Sequence, residues 1–269
     1  MAVSLIVESV LRRDRLVVAV GLAAIVLLAW AYLLAGAGMD MSMPGMVMAP
    51  AAWSPAYGLL LFLMWWIMMI AMMVPSAAPI VLLYATLRRG RDAAASVSLD
   101  IALFLAGYLA IWAAFSMVAT LLQWSLDLAG LMSMEMTVAG AILGGAILIA
   151  AGLYQFTPIK AACLRYCQSP VIFLSQHWRA GPAGAFRMGL RHGAYCLGCC
   201  WFLMALLFFA GAMNLLWIAG LAIYVALEKL LPVGPWLSRA AGVALVAMGG
   251  AGIAGVWQGR TRPRLPVST

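Results

Sequence analysis

The chain has 269 residues, of which 67% are hydrophobic and 9% are charged. Soluble globular domains are about half apolar and a quarter charged, so this composition excludes an ordinary soluble domain. The formal charge of +8 comes from cations between apolar runs, without the basic stripe and interleaved aromatic residues typical of nucleic-acid binding. We therefore expect one integral membrane domain over residues 1–269, with membrane lipid and not nucleic acid as the partner of these charges.

Seven apolar segments are each about as long as, or longer than, the roughly 20 residues that cross a bilayer, and the second is too long for a simple span. They are residues 16–36, 57–87, 99–123, 136–156, 194–213, 214–231 and 237–257. The first segment is longer than the apolar core of a signal peptide, about 7–15 residues, and is predicted to be retained. Pro75 and Pro79 predict a kink or a break in the second. The fold prediction is an all-α polytopic membrane bundle of about seven transmembrane helices, with six as the alternative.

The cationic residues predict the orientation of the chain. Segments 37–56 and 124–135 contain no Lys or Arg, whereas cations cluster before the first helix, after the second and within residues 157–193. Because cationic loops stay in the cytoplasm, we expect the N-terminus and 157–193 inside a bacterial inner membrane and loop 37–56 outside. The tail, 258–269, is predicted to be flexible, and the cations do not decide its side.

The predicted outward loop is rich in methionine. Five methionines fall within ten residues: Met39, Met41, Met43, Met46 and Met48. Thioethers are soft ligands that suit Cu(I), and unlike thiols they do not form disulfides in an oxidising compartment. This favours metal capture. The alternative is a hydrophobic loop at the membrane interface, because methionine fills irregular space well.

A second group of methionines lies in the second apolar segment. Met64, Met68 and Met72 follow one another at i, i+4 and i+8, so they share one face of a helix. Such a line of thioethers suits the passage of a monovalent soft ion from the loop just upstream. Packing alone is the competing interpretation.

Five cysteines form two clusters within residues 157–204, a region predicted to hold a cytoplasmic loop and the start of the helix 194–213. They are Cys163, Cys167, Cys196, Cys199 and Cys200. His192, Cys196, Cys200 and Met204 are spaced to share one helical face. This donor set suits Cu(I) first, with zinc or an iron–sulfur centre as alternatives. Because the cytoplasm is reducing, we expect metal or redox use and not a structural disulfide, and we expect the two clusters to come together. The alternative is that these cysteines are small buried hydrophobic residues.

Three stretches carry a family resemblance. They are Met64–Pro79 (MWWIMMIAMMVPSAAP), Tyr154–Pro170 (YQFTPIKAACLRYCQSP) and Gly193–Met204 (GAYCLGCCWFLM), the last followed by Met213-Asn214 and Glu228-Lys229. In this order, from about Met39 to about Val256, they resemble the bacterial predicted metal-binding integral membrane proteins of domain-of-unknown-function family 2182. The resemblance implies a multi-helix membrane fold and metal binding, without a settled activity. The methionine spacing is also similar to the Met-x-x-x-Met motif of eukaryotic copper transporters.

Three functions remain open. The first is a copper-handling protein without catalytic residues, which captures Cu(I) at the outward methionines and passes it to the Cys/His cluster as an importer or metal-delivery protein. Its partner would be a copper chaperone, a cuproenzyme or a larger membrane complex. The second is a membrane thiol-disulfide oxidoreductase that uses the five cysteines and a quinone-sized pocket. The third is an accessory subunit of a larger membrane complex.

Overall fold

The computed structural model describes residues 2–37, 54–89, 94–130, 141–211 and 214–261. Within these ranges every regular element is an α-helix, which confirms the all-α prediction. The helices are α1 (Ala2–Leu34), α2 (Pro55–Arg89), α3 (Ala94–Leu128), α4 (Ala141–Tyr154), α5 (Pro158–Gln168), α6 (Pro170–His177), α7 (Gly181–Ala210), α8 (Leu215–Leu230) and α9 (Gly234–Thr261).

The described ranges contain five helical segments long and apolar enough to cross a membrane. They are Leu16–Leu34, Pro55–Arg88, Val97–Leu128, Gly181–Phe208 and Gly234–Gly255. A sixth span results if Ile142–Tyr154 and Pro158–Gln168, which are bent by 65°, count together. The described residues therefore contain five or six candidate spans, which fits the predicted alternative of six and not the number seven. The sixth predicted segment, 214–231, is helix α8, whose 16 residues measure only about 24 Å along the axis, against about 30 Å of hydrocarbon.

Helix α7 begins much earlier than its apolar pattern predicts. It starts at Gly181, 13 residues before the predicted start at 194. Polar residues such as Arg187, Arg191 and His192 hide this first half from a hydropathy pattern, although Pro182 near the start is a typical initiating residue. The cysteines at 196–200 are consequently in the middle of a helix of 30 residues and not at its start.

Two other boundaries also differ from the prediction. Helix α2 runs through Pro75 and Pro79 as far as Arg89, so the prolines do not end it. Helix α9 continues to Thr261, which makes the first residues of the predicted tail helical.

The segment between α4 and α7 folds into two short helices because it carries good initiation signals. The Thr157 hydroxyl accepts a hydrogen bond from the amide of Lys160, and Pro158 occupies the first turn of α5. Pro170 likewise occupies the first turn of α6, whose N-cap residue Ser169 makes no side-chain capping hydrogen bond. On α5, Lys160, Leu164 and Cys167 recur every three or four residues and are the buried face. This face turns Cys167 towards α7.

Helices α3 and α7 pack very closely, and two glycines make this approach possible. A methyl group on Gly107 would overlap the Phe186 carbonyl oxygen, and one on Gly189 would overlap the Phe104 carbonyl oxygen. Small residues at such crossings let helix backbones touch. Helix α7 also contacts α4, α5 and α8, while α2 contacts α1, α3, α6 and α8. Helix α7 therefore lies next to α5, which carries Cys163 and Cys167, and both α2 and α7 contact α8.

The α3–α7 contact gives a direct test of the fold. We expect Gly189→Ala to lower the free energy of unfolding in detergent by about 1–3 kcal/mol, because the added methyl group meets backbone and cannot be accommodated by a rotamer change. Gly220→Ala in α8 is the matched control: no atom lies within 4 Å of the added carbon, so stability should be unchanged or slightly raised. Equal stability of both variants in thermal unfolding would contradict this packing.

Candidate metal centre

The two cysteine clusters meet inside the protein, as the sequence predicted. The Sγ atoms of Cys167 on α5 and Cys199 on α7 are 3.9 Å apart, although 32 residues separate them. All five cysteines are free thiols, and all but the half-buried Cys163 are buried. The contact between α5 and α7 therefore brings the two clusters into one region. We call this region, which contains Cys163, Cys167, Cys196, Cys199 and Cys200, the thiol region.

Gly198 gives Cys163 its place at the edge of the thiol region. A methyl group at Gly198 would lie 2.8 Å from the Cys163 Sγ atom, so any larger residue would displace this thiol. Tyr154 at the end of α4 donates a hydrogen bond to the Gly198 carbonyl oxygen, which joins α4 to the same turn of α7.

A lysine ammonium group lies among the sulfur atoms. Lys229 Nζ, on α8, is 2.9 Å from Cys196 Sγ and 3.7 Å from Cys200 Sγ. It is also 3.8 Å from the Sδ atom of Met73 on α2. Lys229 is only 3% exposed, so these contacts replace water around its charge. An ionisable residue in an apolar helix is a signal of function, but the position of Lys229 near a predicted helix end is also typical of a solvated lysine, so it was not predicted as part of the site.

Tyr108 and His192 border the same point. The Tyr108 hydroxyl group lies 3.1 Å from Cys196 Sγ and donates a 3.1 Å hydrogen bond to the Met73 carbonyl oxygen. The His192 ring stacks on Tyr108, with 5.7 Å between ring centroids, and meets the Phe173 ring edge-on. Its Nδ1 atom is buried and has no hydrogen-bond partner among the described residues. An unpaired imidazole nitrogen one helical turn before Cys196 is available as a ligand.

A second polar cluster lies beside the thiol region. Lys160 Nζ pairs with Glu228 Oε1 at 2.7 Å and donates a 3.0 Å hydrogen bond to the Cys199 carbonyl oxygen. Tyr224 and Ser238 both donate to the same carboxylate oxygen. The other oxygen, Glu228 Oε2, is buried without a partner in the described part of the chain. Buried charges are stable only when paired in this way, so the cluster holds α5, α7, α8 and α9 in register.

The methionines of α2 face the protein interior. Met64, Met68 and Met72 are completely buried, as are Met69 and Met73. On α7, Met204 is also fully buried, one helical turn after Cys200. Trp65 lies among the methionines and donates a 2.8 Å hydrogen bond to Gln123 Oε1 on α3. The buried thioethers therefore lie along the interior of α2, and the last of them, Met73, contacts Lys229 in the thiol region.

The donors do not form a closed cage. Across the described ranges, no group of three or more His, Cys, Asp or Glu side chains is arranged to hold a metal ion. At Cys196 and Cys200 the ammonium of Lys229 takes the position between the sulfurs. The predicted capture residues Met39, Met41, Met43, Met46 and Met48 lie outside the described residues.

The fold and this region define a class of protein: an all-helical chain with membrane-length apolar helices and buried thiol, thioether and imidazole groups in its interior. Such donors are those that soft metals prefer. A family model described as PpoB2, copper chaperone, matches residues 62–252, which include the α2 methionines and both cysteine clusters. The chain therefore belongs to the PpoB2 copper chaperone family and handles copper. No curated protein and no solved structure matches it.

The contact between α5 and α7 can be tested by cross-linking. In a variant that keeps only Cys167 and Cys199, with the other three cysteines changed to Ala, we expect mild oxidation to form an intramolecular disulfide, because the two Sγ atoms are already neighbours. The measurement is the loss of two hydrogen atoms by intact mass spectrometry, together with loss of thiol alkylation. A chain that keeps only Cys167 is the control. Two alkylatable thiols after oxidation would show that the clusters do not meet.

Proposed function

We propose that this protein is a copper(I) carrier of the bacterial inner membrane, in which interior sulfur atoms hold the ion as cargo. The observation that carries the proposal is the meeting of two sulfur-bearing helices: Met73 on α2 and Cys196 and Cys200 on α7 all approach the Lys229 ammonium. One α2 thioether and two α7 thiols therefore meet at one point. The other proposed interior ligands are buried or half-buried side chains of α5 and α7: Cys163, Cys167, Cys199, His192 and Met204.

The α2 thioethers suit the transfer of a monovalent ion. From Met64 to Met73 the helix rises about 13 Å, and the fully buried methionines along it provide sulfur at intervals of one turn or less. Neutral thioethers bind Cu(I) without holding it as thiolates do, so they favour movement from site to site. Packing alone would also bury methionines, but it gives no reason for the last of them, Met73, to share a lysine contact with two cysteines.

The loop upstream of α2 completes the proposed route. Its five methionines are expected to capture Cu(I) outside, with the N-terminus in the cytoplasm, as the distribution of Lys and Arg indicates. Copper then moves along α2 to the thiol region and leaves to a soluble copper chaperone. The opposite direction, from the thiol region outward to a cuproenzyme, uses the same residues, and so does delivery to a larger membrane complex.

A thiol-disulfide oxidoreductase is the competing function, and the Cys167–Cys199 contact meets its first requirement. Its second requirement is a quinone-sized pocket at the cysteines. A cavity of about 380 Å³ lies elsewhere, between the start of α2 and the end of α3, and no cysteine lines it. Its lining residues are Ser54, Pro55, Gly58, Leu59, Phe62, Met117, Thr120, Leu121 and Trp124. Exchange chemistry also gives no role to the α2 methionines, so we favour copper handling.

The junction of the two sulfur helices makes the first test of function. We expect Met73→Leu and Cys196→Ser each to weaken Cu(I) binding by about tenfold or more, because each removes a soft donor while nearly preserving size. Met188→Leu is the matched control, since Met188 is equally buried on α7 but packs in a different apolar cluster. Competition with a chromophoric Cu(I) chelator measures the affinity. Wild-type affinity in Met73→Leu and Cys196→Ser would reject the junction as a copper site.

The second test concerns copper capture by the methionines of the outer loop. Changing all five loop methionines to Leu removes the sulfur but keeps size and apolarity, so folding should be unaffected. We expect copper transfer into or out of vesicles to fall strongly, while purified protein still binds Cu(I) in the thiol region. Changing Cys196, Cys199 and Cys200 to Ser should abolish transfer and leave loop binding intact. Transfer at the wild-type rate by the leucine variant would remove the capture step.

A further inference from the structure

Resting on the proposed function, we propose that Lys229 is a built-in competitor for copper: its ammonium group and Cu(I) occupy the same position between Met73, Cys196 and Cys200, so the ion enters only as the ammonium leaves. Lys229 then sets both the affinity and the charge selectivity of the site. Nothing in copper binding as such requires a lysine among the ligands.

The contacts of the ammonium group carry this proposal. Its nitrogen lies 2.9, 3.7 and 3.8 Å from the sulfur atoms of Cys196, Cys200 and Met73. An ammonium group has three hydrogens to donate, and here three sulfur atoms face it. Metal–sulfur bonds measure about 2.3 Å, so an ion bound to these sulfurs would lie too close to the nitrogen for both to be present. Two cations at such a distance in an apolar interior repel each other strongly, which makes their occupancy mutually exclusive.

The lysine has the means to move away. Its four-carbon stem is flexible, and its charge needs a new partner once copper holds the sulfurs. The preceding residue, Glu228, has a buried carboxylate oxygen, Oε2, without a partner among the residues described. The other oxygen is already shared by Lys160, Tyr224 and Ser238, so the carboxylate is fixed in place as an acceptor.

Replacement of one monovalent cation by another explains what the lysine contributes to a carrier. Exchange of the ammonium for Cu(I) leaves the charge at the position between the three sulfurs unchanged, whereas a divalent ion would add one further charge there. The displaced ammonium stays in the interior with Glu228 Oε2 as its acceptor, and the thiols that bind the metal lose their protons for either ion. The site therefore discriminates against Zn(II). The tethered ammonium also returns to the sulfur atoms when copper leaves. Because the sulfur atoms regain a polar partner at once, release of copper to a partner protein is favoured.

The first test compares affinities. We expect Lys229→Leu to bind Cu(I) at least about tenfold more tightly than wild type, and to release it more slowly to a chelator, because the competitor is gone. Lys229→Arg, which retains a cation, should stay at or below wild-type affinity. Lys160→Arg is the matched control, because it changes the other buried lysine but keeps a cation beside Glu228. Its affinity should stay close to that of wild type. Unchanged or weaker binding in a folded Lys229→Leu variant, or an equal gain in Lys160→Arg, overturns the proposal.

The second test uses the wild-type chain and does not depend on the folding of a variant. The sequence contains only two lysines, Lys160 and Lys229, so selective ¹⁵N labelling of the lysine side chains gives two Nζ signals in detergent micelles. One equivalent of Cu(I) should shift the Lys229 signal and leave the Lys160 signal nearly in place, with Lys160→Arg used for assignment. Stoichiometric Cu(I) binding without a shift of the Lys229 signal overturns the competition. Failure of the wild-type protein to bind Cu(I) would instead reject the proposed function.

Discussion

The contact between the Lys229 ammonium and the Cys196 thiol, at 2.9 Å, is the interaction around which the interior of this protein is organised. A lysine charge cannot remain in an apolar interior unless polarizable or polar atoms replace its water. Sulfur atoms from α2 and α7 do so, with the Tyr108 hydroxyl of α3 close to the same thiol. Each helix that brings a partner to Lys229 must therefore keep its position along its own axis and its rotation about that axis.

The other features of the fold serve this constraint. The glycine contact of α3 with α7 brings Tyr108 within reach of Cys196. The buried face of α5 brings Cys167 to Cys199, and the Lys160–Glu228 ion pair fixes α5 to α8, whose next residue is Lys229. A site of soft donors that is held by packing but occupied by a side-chain cation suits a carrier, because the cargo must be able both to bind and to leave.

Much of this was predictable from the sequence, because apolar length, methionine spacing and cysteine spacing are local signals. The α2 methionines face inward in the predicted series, and the cysteine clusters meet. The start of α7 was missed because its first half carries Arg187, Arg191 and His192, and hydropathy cannot distinguish a polar helix from a loop. The role of Lys229 was missed because a charged residue near a predicted helix end is usually solvated, and only tertiary packing reveals sulfur around it. The shortness of α8 explains the error in the number of spans.

The central claim is that Cu(I) binds to the interior sulfur atoms where α2, α7 and α8 meet. The most direct measurement is copper X-ray absorption on purified protein loaded with one equivalent of Cu(I), with the five loop methionines changed to Leu so that only interior donors remain. The account predicts stoichiometric copper with a first shell dominated by sulfur at about 2.3 Å, and loss of that shell when Cys196 and Cys200 are changed to Ser. A shell of nitrogen and oxygen alone, or no retained copper in the loop variant, would contradict it.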